Sequence, residues 1–445
     1  MKNNIIRILK ISFGNIIEWY DFCLYGYFAN TIAEQFFPDS NHFIALLATF
    51  AAFGVGFLAR PVGGILFGHL GDKIGRYYAM NLAIIFMSIP TMAMALLPTY
   101  SVIGIAAPIF LVIIRIVQGL SAGGQYSNLL TITTEEKNFR FKGFHNGISY
   151  SVSVIGFVFA AFVSYIVITF LPQNMQSYAW RIPFGLSIIL LICQFMLRGN
   201  EHKIEVKEFN LKRPDNKQVQ KNIPLVQLFK EYKKSAIFII LLSTITSSLY
   251  YLVITYFVTF TVDIEKLSMN DALEINVISL ICLCICVPIF GLLSDFIGRK
   301  LTLLLSLAVF LGVSLPVLSL LSHPDYSHVL ISTVLLAVLT AWVQGASTPF
   351  YTEIFPEHVR SSGCSVSYGI GVAIAGFAPM AATIFEEISF SGINYFFYIL
   401  LGIGLVTAIF IPYKRIERKR LINLKLAGVE PISISMLDIT SSNKT

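Results

Sequence analysis

From Ile11 to Phe37 the chain holds an apolar stretch long enough to cross a bilayer, and eleven more stretches follow it. A hydrocarbon core about 30 Å thick asks for about 20 apolar helical residues. Inside that core every backbone polar group must find its partner within the protein. Read with a window of that length, the spans fall near 12–37, 43–70, 78–98, 101–133, 144–171, 181–198, 235–262, 271–294, 300–321, 328–354, 363–387 and 390–413. Pro172, Pro288 and Pro316 lie in or beside apolar runs and soften several borders. Only 13% of the 445 residues are charged, against about 25% in a soluble domain. The predicted fold is all-α: a polytopic membrane protein with twelve transmembrane helices.

The net charge of +7 raises nucleic acid as a partner, and the distribution of the charge rejects it. Basic residues cluster at Lys2, Arg7 and Lys10, at Lys73 and Arg76, at Lys137, Arg140 and Lys142, between Arg198 and Lys234, at Arg299 and Lys300, at Arg360, and from Lys414 onward. The alternate loops hold only Lys266 and Arg181. Cytoplasmic loops collect Lys and Arg, so this pattern places both termini in the cytoplasm. The basic start "MKNNIIRILK" is not followed by a small-residue cleavage site, which predicts an uncleaved first span. Of the six cysteines, Cys282, Cys284 and Cys286 alternate around a helix and cannot converge on a metal, so they read as packing residues. No metal or other cofactor is implied.

Two carboxylates interrupt the first span, in "GNIIEWYDF" at Gly14–Phe22. Burying an acid at that depth costs several kcal/mol unless something offsets it. Asn15, Glu18, Asp21 and Tyr25 follow one helical face, which should look into the bundle. Arg115, about 14 residues into span four, sits near mid-bilayer and needs an acid or an anionic ligand. The pattern predicts that Glu18 pairs with Arg115 and that Asp21, deeper in the span, carries a proton. A static ion pair holding spans one and four together is the alternative. Arg60, near the middle of span two, pairs with the span-one acids or snorkels to the membrane surface.

The chain repeats itself. "GHLGDKIGRYY" after span two and "GLLSDFIGRKL" after span eight match at Gly68, Asp72, Gly75 and Arg76 against Gly291, Asp295, Gly298 and Arg299. "VQG" at 117–119 recurs at 343–345, and Arg140-x-x-Gly143 recurs as Arg360-x-x-Gly363. Three matches in one order divide the chain into halves of six spans, 1–198 and 235–413, with a cytoplasmic linker at 199–234 and a tail at 414–445. Leu225, Leu228, Phe229 and Tyr232 give the end of the linker helical spacing, so it reads as a helix on the membrane surface or as a solvated connector. Two such halves around a midplane site is the layout of rocker-type carriers. No Walker A pattern occurs, which argues against direct use of ATP.

With these residues the chain resembles the major facilitator superfamily, and within it the metabolite:proton symporters that include proline/betaine carriers. The resemblance is carried by "GNIIEWYDFCLYG", "LARPVGGILFGHLGDKIGR", "RIVQGLSAGGQY", "WRIPF" at Trp180–Phe184 and the second "GLLSDFIGRK". One position departs: the family usually has glutamate after the glycine pair of span four, where this chain has Gln125. The tail is too short for the long coiled coil of some osmosensing members.

The resemblance implies a proton-coupled carrier of a small zwitterion such as proline or glycine betaine in a bacterial inner membrane, with the bilayer, the solute and protons as partners and one chain sufficient. Arg115 would face the substrate carboxylate, and an acid or an aromatic ring its cationic nitrogen; Tyr20, Tyr25, Tyr126, Tyr250, Tyr251 and Tyr256 are the ring candidates, with Gln125 and Tyr126 along the path. Gly68, Asp72, Gly75, Arg76, Arg140, Asp295, Gly298, Arg299 and Arg360 would form a cytoplasmic gate, Asp72 meeting Arg140 or a helix amino terminus and Asp295 doing the same with Arg360. Span five lacks the proline that drug antiporters of the superfamily carry, which favours uptake. An organic acid:proton symporter is the second expectation, and a channel or a non-transporting sensor the rivals from other classes.

Overall fold

The computed structural model describes residues 2–38, 41–74, 76–123, 125–135, 140–172, 175–198, 228, 230–263, 266–320, 325–356, 359–388, 392–412 and 414–426. The linker at 199–227, the glycine at position 75, and 427–445 in the tail lie outside the described residues. Each apolar span becomes a helical rod. In chain order the rods are Lys2–Tyr27 with Ala29–Phe36, His42–Leu58 with Arg60–Ile74, Arg76–Leu96, Ala106–Ala122 with Gln125–Glu135, Lys142–Phe170, Arg181–Arg198, Lys233–Tyr250 continuing to Asp263, Met269–Ile297, Arg299–Leu320, Tyr326–Ser347 with Phe350–Glu353, Arg360–Ala375 with Ala378–Ile388, and Gly392–Ile409. Among the described residues, eight helices are long and apolar enough to cross a membrane, and Leu82–Leu96 and Ala106–Ala122 are shorter apolar helices.

Most span borders fall within a few residues of those read from hydropathy. Span four starts later than expected, because Gly104 at φ +60° ends the short helix Tyr100–Ile103 and the rod restarts at Ala106. Pro288 and Pro316 lie inside continuous helices, since neighbouring rods tolerate the lost hydrogen bond. The seventh rod contains a π-helical segment, Tyr251–Tyr256.

Apolar residues face outward as well as inward, as a lipid-solvated bundle requires. Ile281, Ile285 and Ile289 stand on one stripe of the eighth rod and are 45–59% exposed. The rods meet through small residues, because lipid supplies no hydrophobic drive for their association and close backbone packing must do so. A Cβ at Gly63 would collide with the Leu120 carbonyl, and one at Gly119 with the Gly56 carbonyl, so the second and fourth rods pack backbone to backbone. The fifth and eighth rods do the same at Gly143 and Gly291. Cys284 packs there too, accepting at its carbonyl from Ser151 Oγ at 2.7 Å.

Candidate functional site

The acidic face of the first rod is buried from end to end: Asn15, Glu18, Asp21 and Tyr25 are at most 4% exposed. Asn15 Nδ2 donates to Ser153 Oγ on the fifth rod at 3.3 Å. Tyr25 donates to the Thr49 carbonyl at 3.0 Å, and its ring lies 3.9 Å from the Arg115 guanidinium. The close approach at Gly119 holds the fourth rod near enough for Arg115 and Gln118 to reach the first.

The pairing of charges differs from the sequence expectation. Arg115 Nη1 donates to Asp21 Oδ2 at 3.0 Å, and Gln118 Nε2 donates to Asp21 Oδ1 at 2.8 Å and to Thr91 Oγ1 at 3.0 Å. Glu18 instead faces Arg60, 3.2 Å from Nη2. Three helical residues separate the two acids by about 4.5 Å along the axis, so each meets the arginine at its own level. Arg60 therefore does not snorkel. Its guanidinium lies 4.3, 4.5 and 5.1 Å from the Phe57, Phe22 and Trp19 rings. Neither Glu18 oxygen accepts a hydrogen bond among the described residues.

Beside these pairs lies a small cavity between the two sets of six rods. Trp19, Tyr126, Tyr150, Phe157, Tyr250 and Tyr368 form its aromatic wall, and Ser153, Val154, Ser247 and Gln344 complete it. The rings touch in sequence, with Trp19 5.4 Å from Phe157, Phe157 5.1 Å from Tyr250, and Tyr126 5.2 Å from Tyr368. Among the described residues no charged side chain is part of the lining. The indole N–H of Trp19 and the hydroxyls of Tyr126 and Tyr250 are buried without a hydrogen-bond partner among the described residues.

Arg115 is not among the described residues that line this cavity; it is fully buried, with Nη1 on Asp21 and with Nε and Nη2 lacking a hydrogen-bond partner among the described residues. Of the six tyrosine candidates, Tyr126 and Tyr250 line the wall. Tyr20 bonds the Pro183 carbonyl at 2.6 Å, Tyr256 bonds Glu386 at 2.5 Å, and Tyr251 packs on Phe57. Gln125 opens the helix Gln125–Glu135, and its side chain lies outside the described residues. The sequence reading missed Trp19, Tyr150, Phe157, Tyr368, Ser247 and Gln344. Trp19 stood inside the acidic string and Gln344 inside the repeated "VQG", and those were the available signals.

At the end of the bundle where the fifth and eighth rods touch, Asp295 accepts from the Gly143 and Phe144 amides at 3.0 and 2.9 Å. An acid at a helix amino terminus meets unpaired N–H groups and the positive end of the dipole. Its arginine partner is Arg299 at 2.7 Å, not Arg360, and Arg299 also reaches Glu353 at 3.3 Å. Arg360 is buried at its own helix start, whereas Arg140 is exposed. Gly298 turns the chain at φ +117° directly after the eighth rod. The side chains of Asp72 and Arg76, and the backbone surroundings of Gly68, lie outside the described residues. Arg420, from the helix Lys414–Leu426, donates to the Asp295 and Phe296 carbonyls at 2.9 and 3.0 Å and thereby caps the eighth rod.

A family model described as Major Facilitator Superfamily matches residues 11–284 and 274–437. The glycine betaine/proline/ectoine/pipecolic acid transporter OusA of Dickeya dadantii is 30% identical over 435 residues, covering 95% of this chain and 85% of that protein. The citrate-proton symporter of Klebsiella pneumoniae is 31% identical over 386 residues, covering 85% of each. The proton:xylose symporter XylE superposes with a TM-score of 0.70 at 16% identity, covering 95% of this chain and 99% of that one, which shows a common fold.

Proposed function

We propose, from the premise that this chain belongs to the major facilitator superfamily and is a secondary active transporter rather than an enzyme, that it takes up a small zwitterion together with protons. The observation that carries this reading is the aromatic, uncharged cavity between the two six-rod sets. Such a wall receives a cationic nitrogen through ring faces, at about 0.5–2 kcal/mol per ring. The unpartnered donors of Trp19, Tyr126 and Tyr250 receive a carboxylate by hydrogen bonding. A di- or tricarboxylate would enter with net charge and meet no cation among the described lining residues, so the citrate-like relatives are the poorer guide to substrate. Proline and glycine betaine, named in the relatives that match along most of the chain, have the required chemistry.

Proton coupling belongs to the adjoining acids, and the two differ in what protonation costs. A proton on Asp21 would weaken its bonds to Arg115 and Gln118 and leave Arg115 buried without a counter-charge. A proton on Glu18 removes the counter-charge that Arg60 meets at 3.2 Å but breaks no hydrogen bond, and three rings remain around Arg60. Glu18 is therefore the proton-binding carboxylate, and Asp21 fixes Arg115. Trp19 links the two functions, because it stacks near Arg60 and lines the cavity. A proton arriving at Glu18 weakens its attraction for Arg60, and Trp19, against which Arg60 lies, carries that change to the cavity wall.

The protein works in a bacterial inner membrane with both termini in the cytoplasm, as the distribution of Lys and Arg favours. The contacts of Asp295 close the cytoplasmic end of the path, and their rupture opens it. The test of coupling is uptake into vesicles before and after the proton gradient is collapsed. Accumulation should stop while exchange of internal for external substrate continues. Accumulation that persists with no ion gradient would refute the coupling.

A further inference from the structure

We infer that Gln344 ranks zwitterions by the hydrogens on their nitrogen, favouring one that carries N–H over one that is fully methylated; this rests on the cavity being the zwitterion site. Among the described residues Gln344 supplies the one carboxamide in the lining. Its Nε2 donates to the Thr246 carbonyl at 3.0 Å, which fixes the orientation of the amide, since the reverse would set two acceptors against each other. The amide oxygen accepts no hydrogen bond among the described residues.

The backbone beside it is equally fixed. A Cβ at Gly345 would stand 2.6 Å from the Val287 carbonyl oxygen and 2.8 Å from the Gly291 nitrogen, so the tenth rod is pressed onto the eighth at this level. The repeat shows the contrast. Gln118, at the matching place in the first half, donates to Asp21 and Thr91 away from the cavity and leaves its own oxygen buried without a partner among the described residues, whereas Gln344 is part of the cavity lining.

The other polar groups of the wall are hydroxyls and an indole, each able to donate, and they suit the carboxylate end of a substrate. Only an acceptor with free lone pairs separates nitrogens by their hydrogens. A secondary ammonium donates to Gln344 Oε1 and also rests on the rings. A quaternary nitrogen rests on the rings equally well but leaves that oxygen unpaired against it, which weakens binding by roughly tenfold.

The test uses purified full-length protein and three probes that share one ring: proline, N-methylproline and N,N-dimethylproline. The wild type should bind proline roughly tenfold more tightly than the dimethyl compound, with N-methylproline close to proline. In Gln344→Leu and Gln344→Met that gap should fall below about threefold, with dimethylproline affinity unchanged. Retained dimethylproline binding is also the proof that each variant is folded. An unchanged gap in either variant, or equal loss of all three probes in both, overturns the role of Gln344. Failure of the wild type to bind any of the three overturns the zwitterion reading itself.

Discussion

Arg115 and Asp21 meet at 3.0 Å with both side chains fully buried, and Gln118 completes the contact at 2.8 Å on the other carboxylate oxygen. Removing one partner of such a pair leaves an uncompensated charge, at a cost of about 3–5 kcal/mol. Asp21→Asn should therefore lower the thermal unfolding temperature in detergent markedly, and adding Arg115→Gln should recover part of the loss. An Asp21→Asn protein as stable as the wild type would show that this pair does not hold the first and fourth rods together.

Glu18 should behave in the opposite way. Glu18→Gln removes a carboxylate that accepts no hydrogen bond among the described residues, and Arg60 keeps its three rings. Its unfolding temperature should fall less than that of Asp21→Asn, while accumulation driven by a pH gradient disappears and exchange remains. Normal accumulation by this variant would return the proton-carrying role to Asp21.

The sequence showed the membrane class, the spans and the repeat because each depends on local composition or on a recurring string. It also placed Glu18, Asp21 and Arg115 in the bundle interior, since lipid cannot solvate them. It could not pair them: both arginines lie far along the chain, and rod height is set by backbone contacts such as Gly119 against Gly56. The aromatic wall was hidden for another reason. With 20 tyrosines and 37 phenylalanines in the chain, Tyr150, Phe157 and Tyr368 cannot be told from packing residues before the halves are assembled.

The packing glycines give a paired prediction. Gly119→Ala should abolish folded yield or lower it severalfold, because its Cβ would collide with the Gly56 carbonyl. Gly312→Ala should be tolerated, since no atom lies within 4 Å of the added carbon. Equal yields from the two, measured by fluorescence size-exclusion chromatography, would remove close packing as the reason for Gly119.

Where the fifth and eighth rods touch, Asp295→Asn should weaken the hold on the Gly143 and Phe144 amides and on Arg299 together. The expected result is faster labelling of cysteines introduced into the path from that end, with the protein still inserted in the membrane. Labelling at the wild-type rate would separate Asp295 from gating.

The aromatic wall should matter most for a cationic nitrogen. Trp19→Leu should weaken binding of glycine betaine roughly tenfold, the equivalent of about 1.4 kcal/mol. Its effect on unfolding should be smaller than that of Asp21→Asn.

The most direct measurement is uptake by reconstituted protein in vesicles with acid outside, no sodium present, and a labelled panel of proline, glycine betaine, citrate and 2-oxoglutarate. Concentrative uptake of proline or glycine betaine, with little of either organic acid, is the predicted result. Accumulation of citrate or 2-oxoglutarate in preference to both zwitterions would contradict it.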